Sequence, residues 1–194
     1  MARSTRRMER IRTVLAHRQP DLTLVLENIH DPHNVSAILR SCDAVGVLAV
    51  ELLYTVEPFP RIGRKSSSSA NKWLERHKHT SVASCYDSLR HRGYRICATR
   101  LDDRSVSLYD LDLTGPVALV FGNEHRGVSN EAAEAADVRF HIPMVGMIQS
   151  LNVSVAAAVC LYEAFRQRRE RGMYADARLS TERLAELAKE WTDR

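Results

Sequence analysis

The stretch from residue 142 to residue 158, IPMVGMIQSLNVSVAAA, joins two kinds of sequence that do not mix, with no spacer between them. Its first half follows the strand-like Phe140 and Ile142 with Pro143, Gly146 and Gln149. These break regular pairing and leave backbone N–H and C=O groups in need of partners. Residues 150–165 are apolar nearly all round (Leu151, Val153, Val155, Ala156, Ala157, Val159, Leu161), the mark of a helix buried on most of its faces. Ser150 and Asn152 therefore stand at the start of a buried helix. There they can cap free amides, the commoner use, or hold a ligand at the positive end of the dipole.

The chain before this junction alternates strand-like and helix-like segments. Residues 4–16 predict an arginine-rich helix with a narrow apolar stripe of Met8, Ile11, Val14 and Leu15. Residues 22–26 read as a buried strand. Val35, Ile38, Leu39, Cys42 and Val45 recur at helical spacing, with Asn34 or His33 as the cap and Gly46 as the stop. Residues 47–53 predict a second strand, followed by a long mobile loop through Pro58, Pro60, Gly63 and the serines at 66–69, reaching past His77 and His79. A helix over 86–92, a strand over 94–99 and a nearly unbroken apolar strand over 116–121 complete the pattern, which argues for an α/β fold with a parallel sheet.

With 194 residues and no linker-like stretch, one domain with terminal additions is expected. No apolar run is long enough to cross a membrane, and the start, MARSTRRMERIR, lacks the apolar core of a secretory signal, so a cytoplasmic protein with no membrane partner is expected. The four cysteines (Cys42, Cys85, Cys97, Cys160) form no CxxC pair, and the spacing of His77, His79 and Cys85 fits no common metal site, so no metal is expected. The net charge is only +4, but its distribution is uneven. Arg3, Arg6, Arg7, Arg10, Arg12 and Arg18 crowd the first twenty residues, Arg166, Arg168, Arg169 and Arg171 follow the buried helix, and Arg61, Arg64, Lys65, Lys72, Arg76 and Lys78 fall in the central loop. Each run alone is a solvated face; together they point to a polyanion such as nucleic acid.

After the strand at 117–121 comes GNEHRGVS, residues 122–129, with the glycine spacing of a phosphate-binding loop. Val128 stands where that motif needs lysine, which demotes a P-loop nucleotide hydrolase to a reading that only measured nucleotide turnover would revive, and no GxGxxG follows the first strand. What remains is a glycine turn carrying an acid and polar side chains at the C-terminal end of a strand, where α/β folds place their ligands.

Taken in order, Asn34–Arg40 (NVSAILR), residues 120–128 (VFGNEHRGV) and residues 142–156 resemble the three motifs of the SpoU (TrmH) family of RNA ribose 2′-O-methyltransferases, a resemblance covering residues 22–165. It implies a parallel-sheet SPOUT fold with a deep C-terminal trefoil knot, a homodimer, and S-adenosylmethionine held by Thr99, Leu101, Gly122, Asn123, Glu124, His125, Arg126, Ile142, Met144, Ser150 and Leu151. It makes Arg40 the essential arginine, with Asn34, Glu124, Ser150 and Asn152 completing the catalytic set. A guanidinium is a poor general base, so stabilisation of the developing alkoxide, with a substrate phosphate accepting the proton, suits Arg40 better.

The boundaries implied are a basic helical extension at 1–20, the methyltransferase domain at 21–165 and a basic helical extension at 166–194, running as a helix to about Arg194. Within the family this arrangement is similar to members that methylate guanosine 18 in the D-loop of tRNA, and Arg7, Arg10, Arg18, Arg166 and Arg168 would then meet phosphates, with Arg61, Arg64 and Lys65 as weaker candidates. Alternatives in the same family act on ribosomal RNA or another tRNA ribose; a non-catalytic RNA-binding relative is the rival from a different class.

Overall fold

The protein is described here by a computed structural model covering residues 2–60 and 70–194, with side chains from Thr5 onward. The expected mobile loop around Arg61, Arg64, Lys65 and the serines at 66–69 lies outside the described residues. In chain order the elements are α1 (Ala2–Ala16), β1 (Leu22–Glu27), α2 (Pro32–Ala44), β2 (Ala49–Leu53), β3 (Glu75–His79), α3 (Val82–His91), β4 (Arg95–Thr99), β5 (Val106–Ser107), β6 (Val117–Phe121), α4 (Asn130–Ala135), β7 (Val138–His141), α5 (Val153–Glu170) and α6 (Thr181–Thr192). The strands form one sheet in the order β3-β2-β1-β6-β4-β7-β5, and every pair is parallel.

Parallel strands need helical crossovers, which cover both faces of the sheet and explain why β1 and β6 are apolar at nearly every position. Their side chains alternate. Leu22, Leu24 and Leu26, with Val117, Leu119 and Phe121, pack under α2 (Val35, Ile38, Leu39, Cys42) and α5 (Ala157, Cys160, Leu161, Ala164). Val25, Ala118 and Val120 meet α3 and α4 through Val82, Cys85, Tyr86, Leu89, Ala132 and Ala133. A third cluster joins Ile11 and Leu15 of α1 to Leu187 and Trp191 of α6 over Leu48, so the two terminal helices pack on each other. No helix among the described residues is long and apolar enough to cross a membrane.

Several expectations are corrected. Helix α2 is capped by Asp31, whose side chain accepts from His33 N at 2.8 Å, rather than by Asn34 or His33. Helix α5 begins at Val153 with Asn152 as its cap, three residues later than its apolar pattern implied. Beyond Glu170 the chain does not run on as one basic helix: Gly172 turns it at φ +70°, and α6 carries Glu182, Glu186 and Glu190 against Arg183 and Lys189. Arg18 and Arg168 do not face solvent. Both are fully buried and hydrogen-bonded inside the protein, so neither guanidinium can meet a phosphate.

The stretch around His77 and His79 is not a loop but the edge strand β3, with the sequence ERHKH. It has no apolar alternation because polar groups fix it. Glu51 of β2, fully buried, accepts from His79 Nε2 at 2.7 Å, from His77 Nδ1 at 3.1 Å and from Arg92 Nη2 at 2.6 Å. Burial by itself would raise the Glu51 pKa, but the hydrogen bonds from His77, Arg92 and His79 outweigh it and hold the carboxyl at about 2. The bond to Glu51 raises His77 in turn. A depressed carboxyl contributes stability above its unfolded value of 4.5 and loses it as pH falls toward about 2; a raised histidine contributes below its unfolded value of 6.5 and loses it as pH climbs through the folded one. Glu51→Gln is expected to cost about 1–3 kcal/mol. Its deficit in melting temperature should be largest between pH 4.5 and pH 6.5 and should shrink on either side.

Candidate functional site

The winding direction reverses where β1 lies beside β6, and at such a switch point the loops leaving the C-terminal strand ends diverge and open a crevice. Here the loops after β4, β6 and β7 and the start of α5 surround a cavity of about 630 Å³. Thr99 and Leu101 line it from β4; Gly122, Asn123, Glu124, His125 and Arg126 from the turn after β6; Ile142, Met144, Ser150 and Leu151 from the segment before α5. All the residues assigned to the donor by resemblance thus share one cavity. Phe121, Phe140, Val153 and Ala156 add apolar wall, while Arg100, His141, Gln149 and Asn152 add polar wall.

The turn after β6 is tight for a steric reason. A Cβ on Gly122 would lie 2.1 Å from the carbonyl carbon of Gly127, so the turn closes only on glycine. Asn123 shapes it from within: its Oδ1 accepts from His125 N at 3.0 Å and Arg126 N at 3.2 Å, while Gly127 N donates to its backbone carbonyl at 2.8 Å. Glu124 then turns back toward the loop after β1. Its carboxylate accepts from His30 N at 2.9 Å, Asp31 N at 3.1 Å and Asn34 Nδ2 at 2.9 Å. Burial would raise the Glu124 pKa, but these donors prevail and hold it below the usual range. A carboxylate bound this way is a weak proton acceptor and a good anchor.

Asn34 passes the connection on. Its Oδ1 accepts from Asn152 Nδ2 at 3.1 Å, and Asn152 Oδ1 caps α5 by accepting from Ser154 N at 2.9 Å. Glu124, Asn34 and Asn152, far apart in sequence, are therefore one hydrogen-bonded row at the cavity rim. Asn152 thus caps α5 and lines the cavity at the same time.

Arg40 is not brought into this cavity. Six residues along α2 from Asn34, it stands about 9 Å farther up the helix axis, exposed and with no described partner. Of the arginines expected to meet RNA, Arg7 and Arg10 are exposed on α1. Arg166 is about half exposed but clasped by Glu163 and Glu170, both at 2.8 Å. Sequence reasoning passed over His30 and Asp31, which act through backbone N–H groups, and Glu57, which accepts from Arg126 Nη2 at 2.7 Å. The pair Asp31-Pro32, a helix-start signature, is the one signal that would have exposed the first of these.

Residues 21–162 match the SpoU rRNA methylase family. A tRNA (guanosine(18)-2′-O)-methyltransferase of Thermus thermophilus is 45% identical over 189 residues, which cover 97% of this chain and 97% of that one. The crystal structure of the Aquifex aeolicus TrmH/SpoU tRNA modifying enzyme superposes with a TM-score of 0.92 at 42% identity, covering 98% of this chain and 96% of its own. The SpoU methyltransferase AviRb of Streptomyces viridochromogenes, solved in complex with the cofactor AdoMet, has a TM-score of 0.70 at 28% identity, over 78% of this chain and 59% of that one. Because the family match spans the sheet and every cavity-lining loop, and two of these relatives align nearly from end to end, the chain belongs to the SpoU rRNA methylase family.

Proposed function

We propose that this protein transfers the methyl group of S-adenosylmethionine to the ribose 2′-hydroxyl of guanosine 18 in the D-loop of tRNA. The observation that carries the reading is the row Glu124–Asn34–Asn152 at the rim of a cavity built from family motifs, in a chain similar throughout its length to enzymes named for that reaction. The cavity suits the donor chemically. Leu101, Phe121, Ile142 and Leu151 offer an apolar wall for a purine, and Gln149 and Ser150 offer hydrogen bonds to a ribose and an amino acid. When bound there, the donor supplies a sulfonium methyl open to in-line attack.

The chain's own part is positioning and charge. Glu124, anchored by three donors, holds Asn34, and Asn34 holds Asn152 against the start of α5, so the rim that would meet the ribose is rigid before RNA arrives. Arg40, exposed and without a described partner, supplies the cation that steadies the forming alkoxide while a substrate phosphate takes the proton. Ser150 completes the polar edge.

The same reading assigns residues 21–165 to the catalytic domain, with a deep trefoil knot through the segment before α5, and residues 1–20 and 166–194 to extensions that set the RNA substrate. It also assigns a homodimer working in the cytoplasm. The support for a dimer is apolar exposure: Val145 and Met147 are fully exposed, and Val155 and Tyr162, seven residues apart, lie about half exposed on one face of α5. Sedimentation should give twice the chain mass of 22.0 kDa.

Arg7, Arg10 and Arg166 are the phosphate-facing candidates, Arg166 by exchanging its carboxylate partners for RNA. Affinity for tRNA should fall about a thousandfold over a fewfold rise in salt if roughly six phosphates are neutralised; a flat response removes this assignment. The reaction itself is tested with labelled S-adenosylmethionine and a tRNA transcript. Label is expected in the transcript and absent from one carrying 2′-deoxyguanosine at position eighteen; equal labelling of both refutes the assignment of the acceptor.

A further inference from the structure

Among the described residues Asn28 is the one non-glycine with positive φ, +50°, at the exit of β1. Asparagine tolerates this left-handed conformation better than most residues, yet it remains a cost that the surroundings must hold in place. What holds it is unusually complete. Asn28 is 6% exposed, and its Oδ1 accepts three successive backbone donors after β2: Thr55 N at 2.9 Å, Val56 N at 3.1 Å and Glu57 N at 3.2 Å. Its Nδ2 donates to Thr55 Oγ1 at 3.0 Å, and its backbone N–H donates to Leu53 O at 2.9 Å.

The connection continues into the site. The left-handed turn directs the Asn28 carbonyl to Asn123, whose Nδ2 donates to it at 2.8 Å, and sends the following residues toward Glu124, which accepts from His30 N and Asp31 N. Glu57, held by the Asn28 amide, in turn accepts from Arg126 Nη2 at 2.7 Å and pairs with His30 Nδ1 at 3.3 Å. One side chain therefore ties the segment after β2 to the loop after β1, and its own carbonyl ties both to the turn after β6.

We infer that Asn28 is a positioning residue for methyl transfer: by locking these three segments together it sets the Asn123–Arg126 turn at the donor cavity and the backbone donors that orient Glu124. Asn28 lines no part of the cavity, so it acts through Asn123, Glu57 and Glu124. The inference rests on the proposed methyltransferase reading.

The test compares full-length Asn28→Gly, Asn28→Asp and Glu57→Gln with the unaltered protein in donor binding by calorimetry, in kcat and KM for tRNA, and in thermal unfolding. Glycine keeps the left-handed turn but removes the amide; aspartate keeps the acceptor for the three N–H groups. Asn28→Gly is expected to weaken S-adenosylmethionine binding about tenfold and lower kcat about tenfold or more while KM for tRNA stays within about twofold. Asn28→Asp should recover most of that loss, and Glu57→Gln, which loosens Arg126 and the His30 side chain but leaves the Asn28 amide in place, should weaken donor binding about threefold.

If the unaltered protein methylates tRNA and Asn28→Gly matches it in kcat and donor affinity, the inference falls and the methyltransferase reading stands. Loss of melting temperature in Asn28→Gly with donor affinity and kcat unchanged overturns it as well, by showing a purely structural role. If Asn28→Gly fails to fold, Glu57→Gln decides, and unchanged donor affinity there rejects the coupling. If the unaltered protein transfers no methyl group at all, the functional reading itself fails and takes the inference with it.

Discussion

Arg40→Ala is expected to lower kcat for tRNA methylation about a thousandfold while leaving the melting temperature and the affinity for S-adenosylmethionine unchanged. The side chain is exposed on α2 and makes no hydrogen bond or ion pair with a described residue, so its removal takes nothing from the core. It lines no part of the donor cavity, so donor binding does not depend on it. In the proposed mechanism what disappears is the cation that steadies the forming alkoxide, and removal of a single such donor in other enzymes costs about 3–4 kcal/mol of transition-state stabilisation. Arg40→Lys should fall between the two, because an ammonium keeps the charge but loses the planar fork. Single-turnover rates at saturating tRNA make the comparison, and a rate within about tenfold of the unaltered protein would dismiss Arg40 as the reacting cation.

Arg168→Ala is expected to act in the opposite way, destabilising the fold by about 3–5 kcal/mol and lowering the melting temperature by roughly 10 °C. Its guanidinium donates to Leu113 O at 2.9 Å, Gly115 O at 2.7 Å, Gln19 Oε1 at 3.1 Å and Asp21 Oδ1 at 2.6 Å. It thereby fastens the end of α5 to the start of β1 and to the loop before β6. Removing it leaves several carbonyls without their partner, and among the described residues the Asp21 carboxylate keeps only Arg178 at 2.6 Å. A phosphate-binding arginine would behave otherwise: its alanine variant would lose RNA affinity with melting unchanged, and that result would restore the role its place in a basic run implied. Arg18 gives the same contrast, with its Nη1 on Val47 O at 2.7 Å, its Nη2 on Asp43 at 2.5 Å and its guanidinium 5.1 Å from the Trp191 ring.

The arginines show where reading a chain stops. Arg166 and Arg168 are two residues apart in one helix, and their types carry the same charge; yet one is half exposed between two carboxylates and the other is buried among carbonyls. A helix of 3.6 residues per turn puts positions two apart on different faces, but which face meets the core depends on where β1 and the loop before β6 lie. In β3 the reason is different. Its ERHKH sequence has no apolar period, and its place in the sheet comes from a ladder with β2 and from a carboxylate buried on that strand. Asn28 is the extreme case, since an asparagine after a strand carries no mark of the six hydrogen bonds that its backbone and side chain make.

Other features needed no neighbours to be read. The alternation of apolar strands with apolar-striped helices carries its own period, so β1, α2, β6 and α5 and the parallel α/β class follow from local spacing. The second and third motifs likewise name the loops after β6 and β7 that line the cavity, because each lies at a strand end or a helix start where side-chain type and backbone geometry are coupled. What the sequence by itself determined was the layer architecture and the list of residues at the cavity. Which polar groups are occupied inside the protein and which are left for a ligand was decided only by the tertiary structure. Hydrogen bonds such as Asn152 to Asn34 and Asn34 to Glu124 join residues whose closeness is produced by strand order, and no local pattern encodes that order.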